Sequence, residues 1–373
     1  MPILGIIASS VHVAVAPSAA RFIIGGISGA ASGPYMAAYN WDDISGYGAA
    51  YSAPTGLTKN VTTTRMNPDK NVVVTSSTVG GATDTVTAFS WSATSGFGTK
   101  YSGISLNAQA GDAKFNPDNS SIVVATGNNP SVLAWGWTNA SGFGTQYTSW
   151  TTGPTNGSLY GATFNIEGTA VVAVQGGTTP SLMATAWSNS TGFGTNYSDG
   201  ESTLSNCYQP TFTPQGTSVV YGTNAATVSQ RLVGRPWSNS TGFGTRFSFP
   251  NIGTSSTTGT PQAISINSLG TVVFFGSSAA PTNYIDTIQA WSFSNSTGFG
   301  TKYSSTASGG PLTAQINSTD TAVIGVASSI TTTPTTYPIP TAWSNSTGWG
   351  TTYAAPAGNP WTATNRAQRA VFN

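Results

Sequence analysis

Charge is what this chain has least of. Of its 373 residues only 6% are charged, 12 basic and 11 acidic, for a net charge of +1. A typical soluble domain carries about 25%. The basic residues are scattered, so the footprint that nucleic acid or an anionic membrane surface needs is missing. The single cysteine, Cys207, rules out an intrachain disulfide and reads as a small buried hydrophobe. The single histidine, His12, sits in the alternating run VHVAVA and reads as a strand or channel residue. No apolar run reaches the ~18 residues of a membrane span, so no membrane insertion is expected.

Catalytic and metal signatures are missing too. The sequence holds no HExxH, no CxxC, no DxDxDG, no phosphate loop and no GxSxG elbow. The paired acids Asp42 and Asp43 read as solvated turn residues, and Asp69 and Asp118 as members of Asn-Pro-Asp turns. Channel catalysis would need non-repeated polar residues converging on one place, and few charged residues are left for that. The expectation is no catalytic residue, no metal and no cofactor. The opening segment MPILGIIASSVHVAVAPSAA has no Lys or Arg before Arg21, so it reads as part of the fold rather than a signal peptide.

What is abundant is aromatic and small-polar: 11 Trp, 14 Tyr and 16 Phe against a background of Ser, Thr, Asn and 44 Gly. That is too much ring surface to leave in water, so disorder is excluded. The aromatics recur in one motif, WSNSTGFGTNYS from Trp187. Its copies start at Trp41, Trp91, Trp137, Trp237, Phe293 and Trp343. Their first glycines are Gly46, Gly96, Gly142, Gly192, Gly242, Gly298 and Gly348, spaced by 50, 46, 50, 50, 56 and 50 residues.

Between copies lies a second pattern of strand, tight turn and β-branched strand. It reads RMNPDKNVVVT from Arg65, KFNPDNSSIVVAT from Lys114 and TFNIEGTAVVAV from Thr163, with later forms from Thr211, Ser265 and Gln315. Proline sets φ and Asn or Asp bonds its own backbone in such turns. Continuous runs such as Val171–Val174 suit strands buried on both faces. A third strand ends at the motif Trp and a fourth carries the Tyr. Four short strands per ~50 residues define a propeller blade.

The expected fold is therefore all-β: a seven-bladed β-propeller with four-stranded antiparallel blades and adjacent termini. One domain spans 1–373, with blades near 11–52, 61–102, 110–148, 159–198, 207–248, 260–304 and 310–354. Segments 1–10 and 355–373 close the ring. NRAQRAVFN from Asn365 resembles an eighth first strand, although Val11–Ala16 already offers one for the first blade. Either the C-terminal strand takes the innermost place or it adds beside the N-terminal one. Ile3–Ile7 offers another strand at the seam.

Within the motif, Trp, Phe and Tyr are expected to pack across a hairpin or between blades, and the two glycines that bracket the Phe, Gly192 and Gly194, to supply a φ > 0 turn position and a close approach of backbone to an aromatic face. The substitutions keep ring volume, as at Tyr47, Trp349 and Phe247. A second reading makes the rings of Trp91, Trp137, Trp187, Trp237 and Trp343 platforms for sugar stacking. Ten Asn-x-Ser/Thr sequons, including Asn189, Asn239, Asn295 and Asn345 within the motif, read as turn chemistry.

The repeat pair, a turn of the FNPD kind followed by AWSNSTGFGTNYS, resembles propeller-repeat proteins of tailed bacteriophages. Trp91–Tyr101, Trp137–Tyr147, Trp187–Tyr197, Trp237–Phe247 and Trp343–Tyr353 carry the resemblance. In blade plan it is distantly similar to WD40 and YVTN-type propellers. The resemblance implies a non-enzymatic structural component of a virion, as head decoration or tail part. Its partners would be other virion proteins and copies of itself. A carbohydrate- or host-receptor-binding propeller, with a host-surface glycan as partner, is the alternative.

Overall fold

The computed structural model describes residues 21–28, 33–77, 82–154, 159–177, 179–198, 200–204, 206–252, 260–277, 288–304, 311–327, 338–361 and 366–373. His12, Ile3–Ile7 and Val11–Ala16 lie outside them. The described chain forms seven antiparallel sheets and one short 3-10 helix, Val228–Gln230. It is a seven-bladed β-propeller.

Six blades have four strands in the order inner, second, third, outer. Blade 4 is representative: Leu159–Phe164, Ala170–Gln175, Leu182–Ser188 and Gly192–Asn196. Blade 2 departs from the expected four, because Ile104–Leu106 pairs as a fifth strand with its long third strand Ala82–Ser92. The second strands are the driest parts. Val171, Val172, Ala173 and Val174 are all 0% exposed, since both sheet faces meet neighbouring blades.

The ring closes through the C-terminal strand. Arg366–Phe372 takes the innermost place of blade 1 and pairs antiparallel with Arg21–Ser28. The first and second strands of blade 1 thus come from distant parts of the chain.

The repeated motif is the joint between blades. Each motif Trp pairs in register with the aromatic of its own hairpin, as Trp187 does with Phe193, their rings 5.1 Å apart and edge to face. The motif Tyr reaches forward instead. Tyr147 of blade 3 lies 4.9 Å from Trp187 of blade 4, and its hydroxyl donates to the Asn189 carbonyl at 2.7 Å. Tyr101 meets Trp137 and Asn139 in the same way, and Tyr197 meets Trp237 and Asn239. Edge-to-face pairs of this kind add about 0.5–1.5 kcal/mol each beyond area burial.

The first glycine makes room for that tyrosine. Gly192 has φ +81, and a Cβ there would lie 2.9 Å from Cβ of Tyr147. Every motif copy repeats the positive φ, from Gly46 to Gly348.

A polar girdle completes the joint. Asn165, 0% exposed, accepts the backbone N–H groups of Thr169 and Ala170 and donates to Oδ1 of Asn239 in the next blade at 2.8 Å. Asn239 in turn accepts the indole N–H of Trp237 at 2.8 Å. Asn116 with Asn189 and Asn267 with Asn345 repeat the link.

At the seam the chemistry changes. Blade 7 meets blade 1 at Asp43, which accepts from Trp41, Asn317, Thr321 and Arg21. Between blades 1 and 2 the motif has Ala93 in place of Asn, and the buried Trp91 indole N–H has no acceptor. Blade 1 has no hairpin turn between its first two strands, so no turn Asn exists there for a motif Asn to meet.

Two outcomes follow from these joints. Gly192→Ala should destabilise the fold by at least ~1–2 kcal/mol, from the left-handed backbone alone. Gly136→Ala, whose Cβ would meet nothing closer than 3.8 Å, should be nearly neutral; urea unfolding measures both. For Asp43, burial opposes the charge, yet hydrogen bonds from Thr321, Arg21 and Trp41 hold its pKa below the ordinary value. Its stabilisation is present above the unfolded pKa of about 4 and is lost as pH falls through the lower folded value. Asp43→Asn should therefore flatten the acid limb of a Tm-versus-pH curve.

Candidate active site

The tryptophans read as sugar platforms sit in the joints. Trp91, Trp137, Trp187, Trp237 and Trp343 are 3–6% exposed. Each meets a ring of its own hairpin and a tyrosine of the preceding blade, as Trp343 meets Trp349 and Tyr303. The ring faces that stacking on a sugar would use are occupied by protein. The motif Asn side chains are likewise engaged: Asn189 accepts from Trp187 and donates to Asp118.

The polar groups that converge do so on the axis. The inner strands surround a channel, and runs such as Ala263–Ile266 and Ala314–Ile316 line it. A cavity of roughly 290 Å³ is lined by Arg65, Lys114, Gln209, Thr211, Ser265 and Gln315, with apolar walls from Ala263, Ile264, Ile266, Ala314 and Ile316. A second space of roughly 380 Å³ shares Arg65, Gln315 and Ile316 with the first, and adds Lys70 and the turn Asn67–Pro68. Together they form a funnel opening on the face that carries the turns between first and second strands.

The cations are anchored. Arg65 Nη2 donates to Asp112 Oδ2 at 2.9 Å, with Asp112 only 1% exposed behind it. Gln209 Nε2 reaches the same oxygen at 3.2 Å. Lys114 Nζ donates to the Pro210 carbonyl at 3.3 Å. The buried Nε–H of Arg65 has no protein acceptor. At the funnel mouth, burial lowers the pKa of Lys70, the direction expected for an ammonium drawn out of water. This arrangement can hold an anionic or carbonyl oxygen between Arg65 and Lys114. Neutral hydrogen-bonding groups for hydroxyls stand around it.

A second charged cluster lies away from the axis, in blade 5 and the segment leading into it. Glu201, 1% exposed, takes hydrogen bonds from Thr203, Tyr221, Arg235 and Arg246. Burial opposes its charge, but the Thr203 bonds and the two arginines hold its pKa below the usual value. Cys207 is fully buried nearby, and burial pushes its thiol up to about 12. A thiol so protonated is no nucleophile, in keeping with the reading of Cys207 as a packed hydrophobe.

The sequence contained a signal for the channel residues that motif searching passes over. With the repeats aligned on the turn, Arg65, Lys114, Thr163, Thr211, Ser265 and Gln315 occupy one column, two residues before the turn Asn or its Thr213 equivalent. The following column is always a large apolar residue, from Met66 to Ile316; this one is polar throughout and carries five different side-chain types in six blades. Asp112, Gly161 and Gln209 share the next channel-facing column.

No protein-family model matches the chain, and no curated protein matches it. Solved structures do match. A Bacteroides uniformis propeller named as a candidate 6-phosphogluconolactonase superposes with a TM-score of 0.69 at 10% identity, covering 95% of this chain and 100% of its own. The Pseudomonas aeruginosa periplasmic gluconolactonase PpgL gives 0.65 at 11%, covering 95% and 98%. The β-propeller domain of Myceliophteria thermophila Cps50 (Swd1), a WD40-like neighbour, gives 0.54 at 9%, covering 78% and 87%.

At these identities the likeness is one of fold. It corrects the functional expectation nonetheless. Nothing in it links the chain to tailed-phage virion proteins, and two of the three neighbours carry the names of lactone hydrolases. The reading as a non-enzymatic virion component or glycan-binding propeller is set aside. Its physical premise also fails, because Arg65, Asp112, Lys114 and Gln209 supply the non-repeated polar convergence that seemed missing.

Proposed function

We propose that this protein is a hydrolase that opens a cyclic ester of a sugar acid in its axial channel. The observation that carries the reading is the convergence of Arg65, Asp112 and Lys114 on one channel in a chain with 6% charged residues. The names of the similar propellers support the ester class.

In the reaction, water adds to the ring carbonyl carbon and charge moves onto the carbonyl oxygen. The ring C–O bond then breaks, the departing alkoxide takes a proton, and a hydroxy acid results. The chain's contribution is electrostatic. Arg65 and Lys114 line the cavity as cations for the developing oxyanion. Asp112 holds the Arg65 guanidinium in place without reaching the cavity itself. Thr211, Ser265 and Gln315 face the remainder of the ring with groups suited to hydroxyls. The funnel volume matches the roughly 300–1,000 Å³ of small-molecule sites.

Ring opening of glucono-δ-lactone and its 6-phosphate, followed by pH-stat against the spontaneous rate, tests the reading. The wild-type chain should accelerate one of them. Lys114→Met keeps the aliphatic stem and leaves the Arg65–Asp112 pair intact. It should lower kcat/KM by about 100-fold, the order expected for one lost oxyanion donor. Equal rates with and without protein, on both lactones, would overturn the proposal.

A further inference from the structure

Gln209 occupies a backbone state that its chemistry does not favour. It has φ +38, the one positive φ in an inner strand among the described residues, and it precedes Pro210. Non-glycine residues avoid that region, and a following proline restricts the backbone further. The pairing of inner strand Cys207–Phe212 with second strand Ser218–Thr223 slips here. Tyr208 opposes Gly222 and Thr211 opposes Val220, so one residue is extra. Most other inner strands also slip, but nearer their starts, as between Leu159 and Gly161 or Pro261 and Ala263. In blade 5 the bulge has moved into a channel-facing column.

The displaced bulge touches both charged residues of the inner strand of blade 3, Ala110–Phe115. Gln209 Nε2 donates to Asp112 Oδ2, and the Pro210 carbonyl accepts from Lys114. Blade 4 stands between blades 3 and 5 and leaves the way clear with Gly161, where a Cβ would lie 3.3 Å from Pro210 Cδ and 3.4 Å from Gln209 Cα. Gln209 is itself 4% exposed and edges the cavity. A strained residue, a strand bulge and a missing side chain thus cooperate in one contact. Strain of this kind persists where surrounding structure enforces it, and it concentrates at working sites.

We propose that Gln209 is a positioning residue: the blade 5 bulge aims its amide at Asp112, and through Asp112 it fixes the Arg65 guanidinium in the channel. The inference rests on the hydrolase reading for its kinetic consequence, and on geometry alone for its structural one.

Gln209→Gly tests it, because glycine adopts the positive φ freely while the whole side chain, amide included, is lost. Three measurements on the full chain belong together: Tm, lactone kinetics, and the ¹⁵N–¹H spectrum of the arginine side chains. Tm should stay equal or rise. The Arg65 Nη protons should be resolved in the wild type, where the contact to Asp112 restricts rotation, and should coalesce in the variant. The value of kcat should drop at least ~10-fold, towards the ~100-fold that small misplacements cost, with KM changed less than kcat. Gln209→Asn, which shortens the reach and keeps the amide, should fall between glycine and wild type. Unchanged Arg65 signals in Gln209→Gly would overturn the positioning role, as would unchanged kcat. If the wild type opens neither lactone, the hydrolase reading fails by itself, and the Arg65 spectrum still decides whether Gln209 positions the guanidinium.

Discussion

The contact on which the whole ring depends is the tyrosine of one blade laid against the glycine and tryptophan of the next. A propeller has no common core. Away from the axis each blade packs on its two neighbours, so stability is largely a sum of interfaces. Tyr147 on Gly192 and Trp187 supplies the apolar part of one interface, and Asn116 bonded to Asn189 supplies the polar part. The two share an anchor: the motif Asn takes the indole proton with its side chain and the tyrosine proton with its carbonyl. Loss of the glycine would push the ring away, and the polar girdle would lose its register.

This division of labour explains the scarcity of charge. The joints are built from amides, hydroxyls and rings, which satisfy one another at close range without desolvating ions. Where a charge enters a joint it has a reason. Asp43 replaces the motif Asn where Arg21 stands at the start of the closing blade. The remaining concentrations of charge are therefore informative. One supports blade 5 through Glu201, another pairs Lys100 with Asp84 in blade 2, and a third lies on the axis around Arg65, Asp112 and Lys114.

Much of the architecture was legible in the sequence, because a repeat states its blade several times over. Trp187, Phe193 and Gly192 could be assigned their roles from spacing and from the substitutions of other copies. Ring closure was less legible. Val11–Ala16 and NRAQRAVFN both have first-strand character, and only pairing with Arg21–Ser28 decides for the latter. The fifth strand at Ile104–Leu106 was missed because three residues of strand carry almost no periodic signal. The channel residues escaped for a different reason. Arg65, Lys114 and Gln209 belong to separate repeats and look like ordinary variation within a strand. They become a cluster only when the ring brings two columns of the repeat onto the axis. Residues that vary inside a constant frame were the signal, whereas attention to what repeats leads towards the scaffold.

The most direct measurement of the central claim is a crystal structure of the protein soaked with gluconate, the open product of the simplest candidate ester. The account predicts the carboxylate in the axial channel, between Arg65 and Lys114, with hydroxyls towards Thr211, Ser265 and Gln315. Gluconate bound at the turns around Trp187 and its equivalents, with the channel holding none, would contradict it.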